Sequence, residues 1–469
     1  MAGIGFSLRA LSERSGYLGA LQCHAAAALI SCGPWLLSTL AVLGTGRLLS
    51  AGGVDARELG RFQVAVSWLF VSSLIWTAPF QLMFTRFVAD REYAGERAYT
   101  LPNLCGALAC VCTLSAALSC LASRWFASES LLLRAALGTA FVAVCGVWLV
   151  SIVLVELREQ RKILGCLALG YLLSLGACWS LARWGAAAML AGFALGQAGL
   201  LFVSLAVLAR ALPVPLHGVR VSFAFLRRRA LFFDLGLIGL LYNAGSWADE
   251  LSFWLDPATS RAVLGPLRAS PFYDLPSFAA GLCAVPGMAV FLLRVETDFA
   301  ERQRAFGAAL RAGASLPRLE ALREALAAAA QRGIAALLRV QVLSWLACLG
   351  AGAPWLGWLA GEPGAAWIEL QLPLFYLAAL AAGLQLLVLA SISFMFHLDR
   401  RGAALRLSLL LCLSNTAASW FTQRLGPAFY GYGVVAALAL TSAYGLSSLN
   451  RIFAQLVRDT FVLQPGAAG

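Results

Sequence analysis

The stretch GPLRASPFYDLPSFAAGLCAVPGMAVFLLRVETDFAER, residues 265–302, is mostly apolar, yet it holds four prolines and closes on a dense cluster of charge. Its core, residues 272–293, has the length of about twenty residues that a helix needs to cross a hydrocarbon layer. Pro276 and Pro286 fall inside that span, and Asp274, Arg294, Glu296 and Asp298 are gathered around it. A helix that only filled a membrane would need neither. A proline in mid-span frees a carbonyl and bends the helix, and lipid tolerates this only beside a cavity or a close protein neighbour.

Working outward, the same kind of block recurs along the chain. Of the 469 residues, 61% are hydrophobic and 12% charged, about half the charge of a soluble domain. Twelve spans are expected, at 24–46, 62–84, 102–122, 131–155, 163–182, 186–208, 231–253, 272–293, 340–359, 370–396, 404–421 and 429–449. Alternation of period two is absent, so an outer-membrane barrel is not a competitor. The fold class is an all-α polytopic membrane protein built as two six-helix lobes. With the N-terminus inside, 26 of the 35 Lys and Arg fall on the cytoplasmic side and nine on the other, the bias that sets orientation. Both termini are therefore expected in the cytoplasm. The net charge of +12 is mostly this topogenic signal and does not argue for nucleic acid.

The expected organisation is an N-terminal segment over 1–23, a first lobe over 24–209, a basic linker over 210–230, a second lobe over 231–449 and a tail over 450–469. Ile4, Phe6, Leu8 and Leu11 beside Arg9 and Arg14 suit a helix lying in the membrane interface or a frayed tail, and no A-x-A cleavage site marks a removable leader. The second lobe contains a cytoplasmic excursion over 297–339 that reads as two amphipathic helices divided at Gly313–Pro317. Ser315 is placed to cap the second, and Leu316, Leu319, Leu322 and Leu326 line one face of it. This pair is either a lid on the protein or a dock for a partner, with Arg302, Arg304, Arg311, Arg318, Arg323 and Arg332 as docking candidates.

The halves echo one another. Span 2 ends APFQLMFTRFVAD (78–90) and span 8 ends VPGMAVFLLRVETD (285–298), each with proline, arginine and then aspartate: Pro79, Arg86, Asp90 and Pro286, Arg294, Asp298. Two such halves, each with an even number of spans, have the same orientation, an arrangement that places a substrate path at their interface. Two ordinary proline kinks against neighbouring helices are the competing reading. Span 7 is the most polar, with Asn243, Trp247 and Glu250 on one face and Asp249 beside them. Intramembrane polar groups are default functional suspects, so these four and Asp274 join the path candidates. Asp249 and Glu250 reaching outer headgroups is the alternative. Trp35, Trp68, Trp254, Trp367 and Trp420 suit an interfacial belt, while Trp76, Tyr242, Trp247 and Tyr273 are candidates for stacking on sugar rings.

Catalytic chemistry is missing from the pattern. The single lysine, Lys162, does not follow a glycine-rich phosphate loop. His24, His217 and His397 are scattered, and no serine elbow or D-x-D motif appears. The twelve cysteines form no C-x-x-C pair and read as small apolar fillers. No catalytic residue, metal or cofactor is expected.

Several stretches carry a resemblance. MAGIGFSLRALSER (1–14), ISCGPWLLS (30–38), TRFVADREY (85–93), the 265–301 block, LDRRGAALRL (398–407) and GPAFYGYG (426–433) resemble the PelG family. These are bacterial inner-membrane transporters of Pel exopolysaccharide, in the multidrug/oligosaccharidyl-lipid/polysaccharide exporter superfamily. The resemblance implies a flippase-like fold, export of an N-acetylgalactosamine-rich polymer through a path between the lobes, and coupling to the glycosyltransferase PelF with PelD and PelE as membrane partners. A cation-coupled small-molecule antiporter and a non-transporting scaffold for the synthase remain the alternatives.

Overall fold

A computed structural model describes residues 44–156, 160–213, 220–227, 232–361 and 365–462. The expected interfacial helix, nearly all of the first span with Trp35, and much of the 210–230 linker lie outside these residues. Among the described residues, nine helices are long and apolar enough to cross a membrane, and each coincides with an expected span. The expected eleventh span is also a helix, Arg401–Leu425, whose Ser408, Asn415, Ser419 and Gln423 are buried polar residues. The expected seventh is two short helices, Phe233–Ser246 and Ala248–Leu255. The chain gathers into two compact units, one holding the described residues up to Pro271 and the other those from Phe272 on. This division falls after the seventh span, whereas the sequence suggested the linker before it.

The first unit contains α1 (Ala56–Tyr93), α2 (Thr100–Ala122), α3 (Leu131–Glu156), α4 (Gln160–Leu181) and α5 (Ala186–Ala211), then α6 (Phe233–Ser246) and α7 (Ala248–Leu255). Helices in lipid gain little from burying apolar surface, so close packing of small residues must join them. Gly192 and Gly196 of α5 do this against α4. A Cβ at Gly192 would meet the Ala177 carbonyl carbon at 2.8 Å, and one at Gly196 would meet Ser174. Gln197 adds an interhelical hydrogen bond, donating from Nε2 to Ser174 Oγ at 3.3 Å.

An ion-pair chain fixes the start of α1. Arg61 reaches Glu58 at 3.1 Å and Glu129 at 2.5 Å, while Glu58 Oε2 accepts the Ala186 N–H at 2.7 Å. A carboxylate on the first turn of α5 satisfies a donor that the helix cannot satisfy itself and complements the positive end of its dipole.

After α7 comes an antiparallel hairpin, β1 (Arg261–Leu264) with β2 (Leu267–Ala269), turned at Gly265 with φ +52°. It is an addition to the all-helical expectation. Trp68 donates its indole N–H to the Arg268 carbonyl at 2.8 Å, and its ring lies 4.8 Å from that of Trp254. Trp254 is 5% exposed, so it is a packed anchor for this end of the unit and not part of an interfacial belt.

The second unit opens with a helical rod made of α8 (Pro271–Gly281), α9 (Val285–Arg294) and α10 (Ala300–Arg311). A tight 3₁₀ turn, Leu282–Ala284, separates the first two, and a wide π turn, Val295–Phe299, the last two. Then follow α11 (Leu316–Ala360), α12 (Ala365–His397), α13 (Arg401–Leu425) and α14 (Tyr432–Val462). The 45-residue α11 is roughly 68 Å long at 1.5 Å per residue, more than twice a hydrocarbon core. The expected pair of helices over 297–339 is present, divided between Arg311 and Leu316, and both are continuous with spans: α10 prolongs the eighth and α11 runs on into the ninth. Its leucine face is also narrower than expected. Leu319 and Leu326 are buried, but Leu316 is 55% exposed, and Ser315 precedes α11 without a side-chain capping bond.

Candidate functional site

Pro79 and Pro286 occupy matching sequence positions and unlike structural ones. Around Pro79, α1 runs unbroken against α6, where Gly239 comes so close that a Cβ would meet the Ala78 carbonyl oxygen at 2.6 Å. Here the close protein neighbour is the reason the proline is tolerated. Pro286 stands instead in the first turn of α9, directly after the 3₁₀ turn. Lacking an N–H, it cannot continue the α-helical ladder from α8. The tight turn repairs part of the gap, with the Val285 N–H bonding the Leu282 carbonyl. The next carbonyl, of Cys283, accepts from outside the rod: Gln341 Nε2 of α11 donates to it at 3.2 Å. Gln341 is 6% exposed and sits in a notch between two glycines. A Cβ at Gly287 would lie 2.6 Å from its Oε1, and one at Gly383 2.6 Å from its Cγ.

Downstream of each proline the echo holds in its chemistry. Arg86 pairs with Asp90 at 3.0 Å and Arg294 with Asp298 at 2.9 Å, each one helical turn apart. Both pairs are part-exposed and reached by solvent, so each is worth under about 1 kcal/mol. The Arg294 pair ends inside the π turn, a helix irregularity often found at functional positions.

The polar seventh span is divided at Trp247, which lies between α6 and α7 with φ −108° and ψ 8°. Asn243 spends its amide on its own helix, donating to the Gly239 carbonyl at 3.0 Å. Asp249 is 6% exposed, and Glu250 is half-buried. These four form one local cluster in the first unit, whereas Asp274, half-buried on α8, belongs to the second. Of the aromatic candidates, Tyr273 is 1% exposed, and Trp76 packs on the core of the first unit while donating to Ser115 at 3.1 Å. Both are core residues and not open stacking faces.

The docking arginines also divide. Arg302 donates to the Asp298 carbonyl at 2.8 Å. Arg323 bonds the Ala454 carbonyl of α14 at 3.4 Å and pairs with Glu324 at 3.0 Å, tying α11 to its neighbour. Arg304, Arg311, Arg318 and Arg332 are exposed. Sequence reading missed Gln341, although a glutamine in an apolar run is a signal of its own. It also missed a cavity of about 370 Å³ in the first unit, bordered by Asp55, Glu58, Trp179 and Arg183.

Comparison with known proteins decides the class. The PelG family, exopolysaccharide exporters (EPS-E), matches residues 1–461. The chain belongs to the PelG family. No curated protein matches it. Among solved structures it is similar to a MATE in complex with MaL6 (TM-score 0.66, 12% identity, 93% of this chain and 96% of that one). It is also similar to an outward-facing multidrug resistance MATE family transporter of the MOP superfamily (0.64, 11%, 92% and 96%). A third is a MOP superfamily transporter from Pyrococcus furiosus (0.63, 12%, 92% and 96%). At these identities the likeness is one of fold. This PelG family member is a multi-pass membrane transporter and not an enzyme.

Proposed function

We propose that this chain exports a Pel-type, N-acetylgalactosamine-rich exopolysaccharide across the bacterial inner membrane as a cytoplasmic glycosyltransferase of the PelF kind extends it. PelD and PelE act as its membrane partners, and both termini lie in the cytoplasm. The observation that carries this reading is membership of the PelG family over residues 1–461. The residues proposed to line the path are Arg86, Asp90, Asn243, Trp247, Asp249 and Glu250 of the first unit, and Asp274, Pro286, Arg294 and Asp298 of the second, while Pro79 is assigned to packing against α6. Arg311, Arg318 and Arg332, exposed on α10 and α11, are proposed to dock the synthase.

The test uses inverted inner-membrane vesicles with the synthase partner and labelled nucleotide sugar, with and without this chain. Export predicts that new polymer becomes resistant to added glycosidase only when the chain is present. Polymer that forms only with the chain yet stays digestible would make it a scaffold. A second reading, a cation-coupled antiporter, is favoured by one observation, the burial of Asp249 in a MATE-like fold. It predicts drug efflux that collapses in Asp249→Asn.

A further inference from the structure

The break between α8 and α9 carries a pair of thiols that the transport reading does not use. Cys283 lies in the 3₁₀ turn, and its sulfur is 2.7 Å from that of Cys348 on α11. Both side chains are half-buried and border a small apolar cluster of Ala279, Ala280, Leu356, Phe375 and Ala379. Gln341 stands seven residues before Cys348, about two turns earlier and therefore on the same helix face. So α11 grips one residue of the break twice, through the Cys283 carbonyl and through its thiol. The first grip is incomplete, because Gln341 Oε1 is buried without a hydrogen-bond partner.

We propose that Cys283 and Cys348 are a disulfide-forming pair that clamps the break to α11. The bonded sulfurs of a disulfide lie about 2.0 Å apart, so small side-chain movement suffices. The oxidant is a membrane-permeant organic disulfide. One cysteine thiolate attacks it, releasing one small thiol and leaving a mixed disulfide, and the second thiolate then displaces the other small thiol. Two electrons and the two thiol protons end on the two small thiols, and a dithiol reductant reverses the step. The linkage ties the interrupted part of α8–α9 to a helix of 45 residues and stops the turn from moving past it.

The proposal rests on the second unit alone and does not depend on the cargo. Full-length protein in membranes is treated with 2,2′-dithiodipyridine, remaining thiols are blocked with maleimide, and peptides are analysed by mass. The expected result is one linked peptide pair containing residues 283 and 348, absent in both Cys348→Ser and Cys283→Ala and lost on adding dithiothreitol. Amide exchange over residues 281–294 should slow about tenfold or more in the linked protein, as when a local opening is suppressed. Pyridyl adducts on the two cysteines separately, with no linked peptide, would overturn the pairing. A linked peptide with unchanged exchange would overturn the clamp.

Discussion

Gln341 is one side chain in the middle of an apolar helix, and its worth follows from what it touches. Its amide satisfies the Cys283 carbonyl, and leaving a buried acceptor unsatisfied costs about 1–3 kcal/mol. Gln341→Leu removes the donor and leaves that carbonyl unsatisfied, partly offset by the loss of the unpartnered Oε1, so the detergent-solubilised protein should melt lower. Gln341→Asn retains a donor on a shorter arm and should recover part of that loss. An unchanged melting temperature in Gln341→Leu would show that the carbonyl finds water instead. Gly239 makes the complementary case for space. A methyl there would press on the Ala78 carbonyl at 2.6 Å, and overpacking of this kind costs about 1–3 kcal/mol.

At the scale of elements, the two prolines should part company. Pro79 lies in an unbroken helix, so Pro79→Ala is expected to leave export within about twofold, a barrier change of under ~0.5 kcal/mol. Pro286→Ala restores an N–H where the rod is interrupted and lets α8 run on into α9. If transport bends the rod there, polymer protection in the vesicle assay should fall roughly tenfold, equivalent to about 1.4 kcal/mol of barrier, while melting stays the same or rises. Equal effects from both substitutions would remove the break from the mechanism. The prolines and the i,i+4 ion pairs were legible because they are local. Gln341 and Cys348 were not, since their partner lies 58 and 65 residues away and a single sequence carries no register between α9 and α11. The docking candidates separate for the same reason. Reversing Arg311, Arg318 and Arg332 together should leave melting unchanged and abolish co-purification of the synthase, whereas Leu326→Asp buries a charge at a fully buried site and should lose the fold itself.

On the scale of the whole molecule, spans were readable because hydrophobic blocks of about twenty residues declare themselves, and where the chain divides was not. The basic linker at 210–230 looked like the natural boundary, yet α6 beyond it packs on α1 through Gly236 and Gly239, against Pro79, Met83 and the Ala78 carbonyl. Composition cannot show this, because a glycine that admits a neighbouring helix reads the same as any other small residue in an apolar run. The consequence is measurable in truncated chains. A fragment ending at residue 230 loses α6 and uncovers the α1 face around Ala78 and Met83, while one ending at residue 271 keeps α6, α7 and the hairpin with its Trp68–Arg268 bond. The longer fragment should therefore accumulate in membranes and melt cooperatively in detergent, and the shorter should be degraded or aggregate. Restoring α6 and α7 alone, by ending at residue 256, should recover part of the difference, because the α1–α6 contact returns without the hairpin. Equal yield and equal melting of the 230 and 271 fragments would place the boundary back at the linker, with α6 merely resting on a first unit that is stable without it.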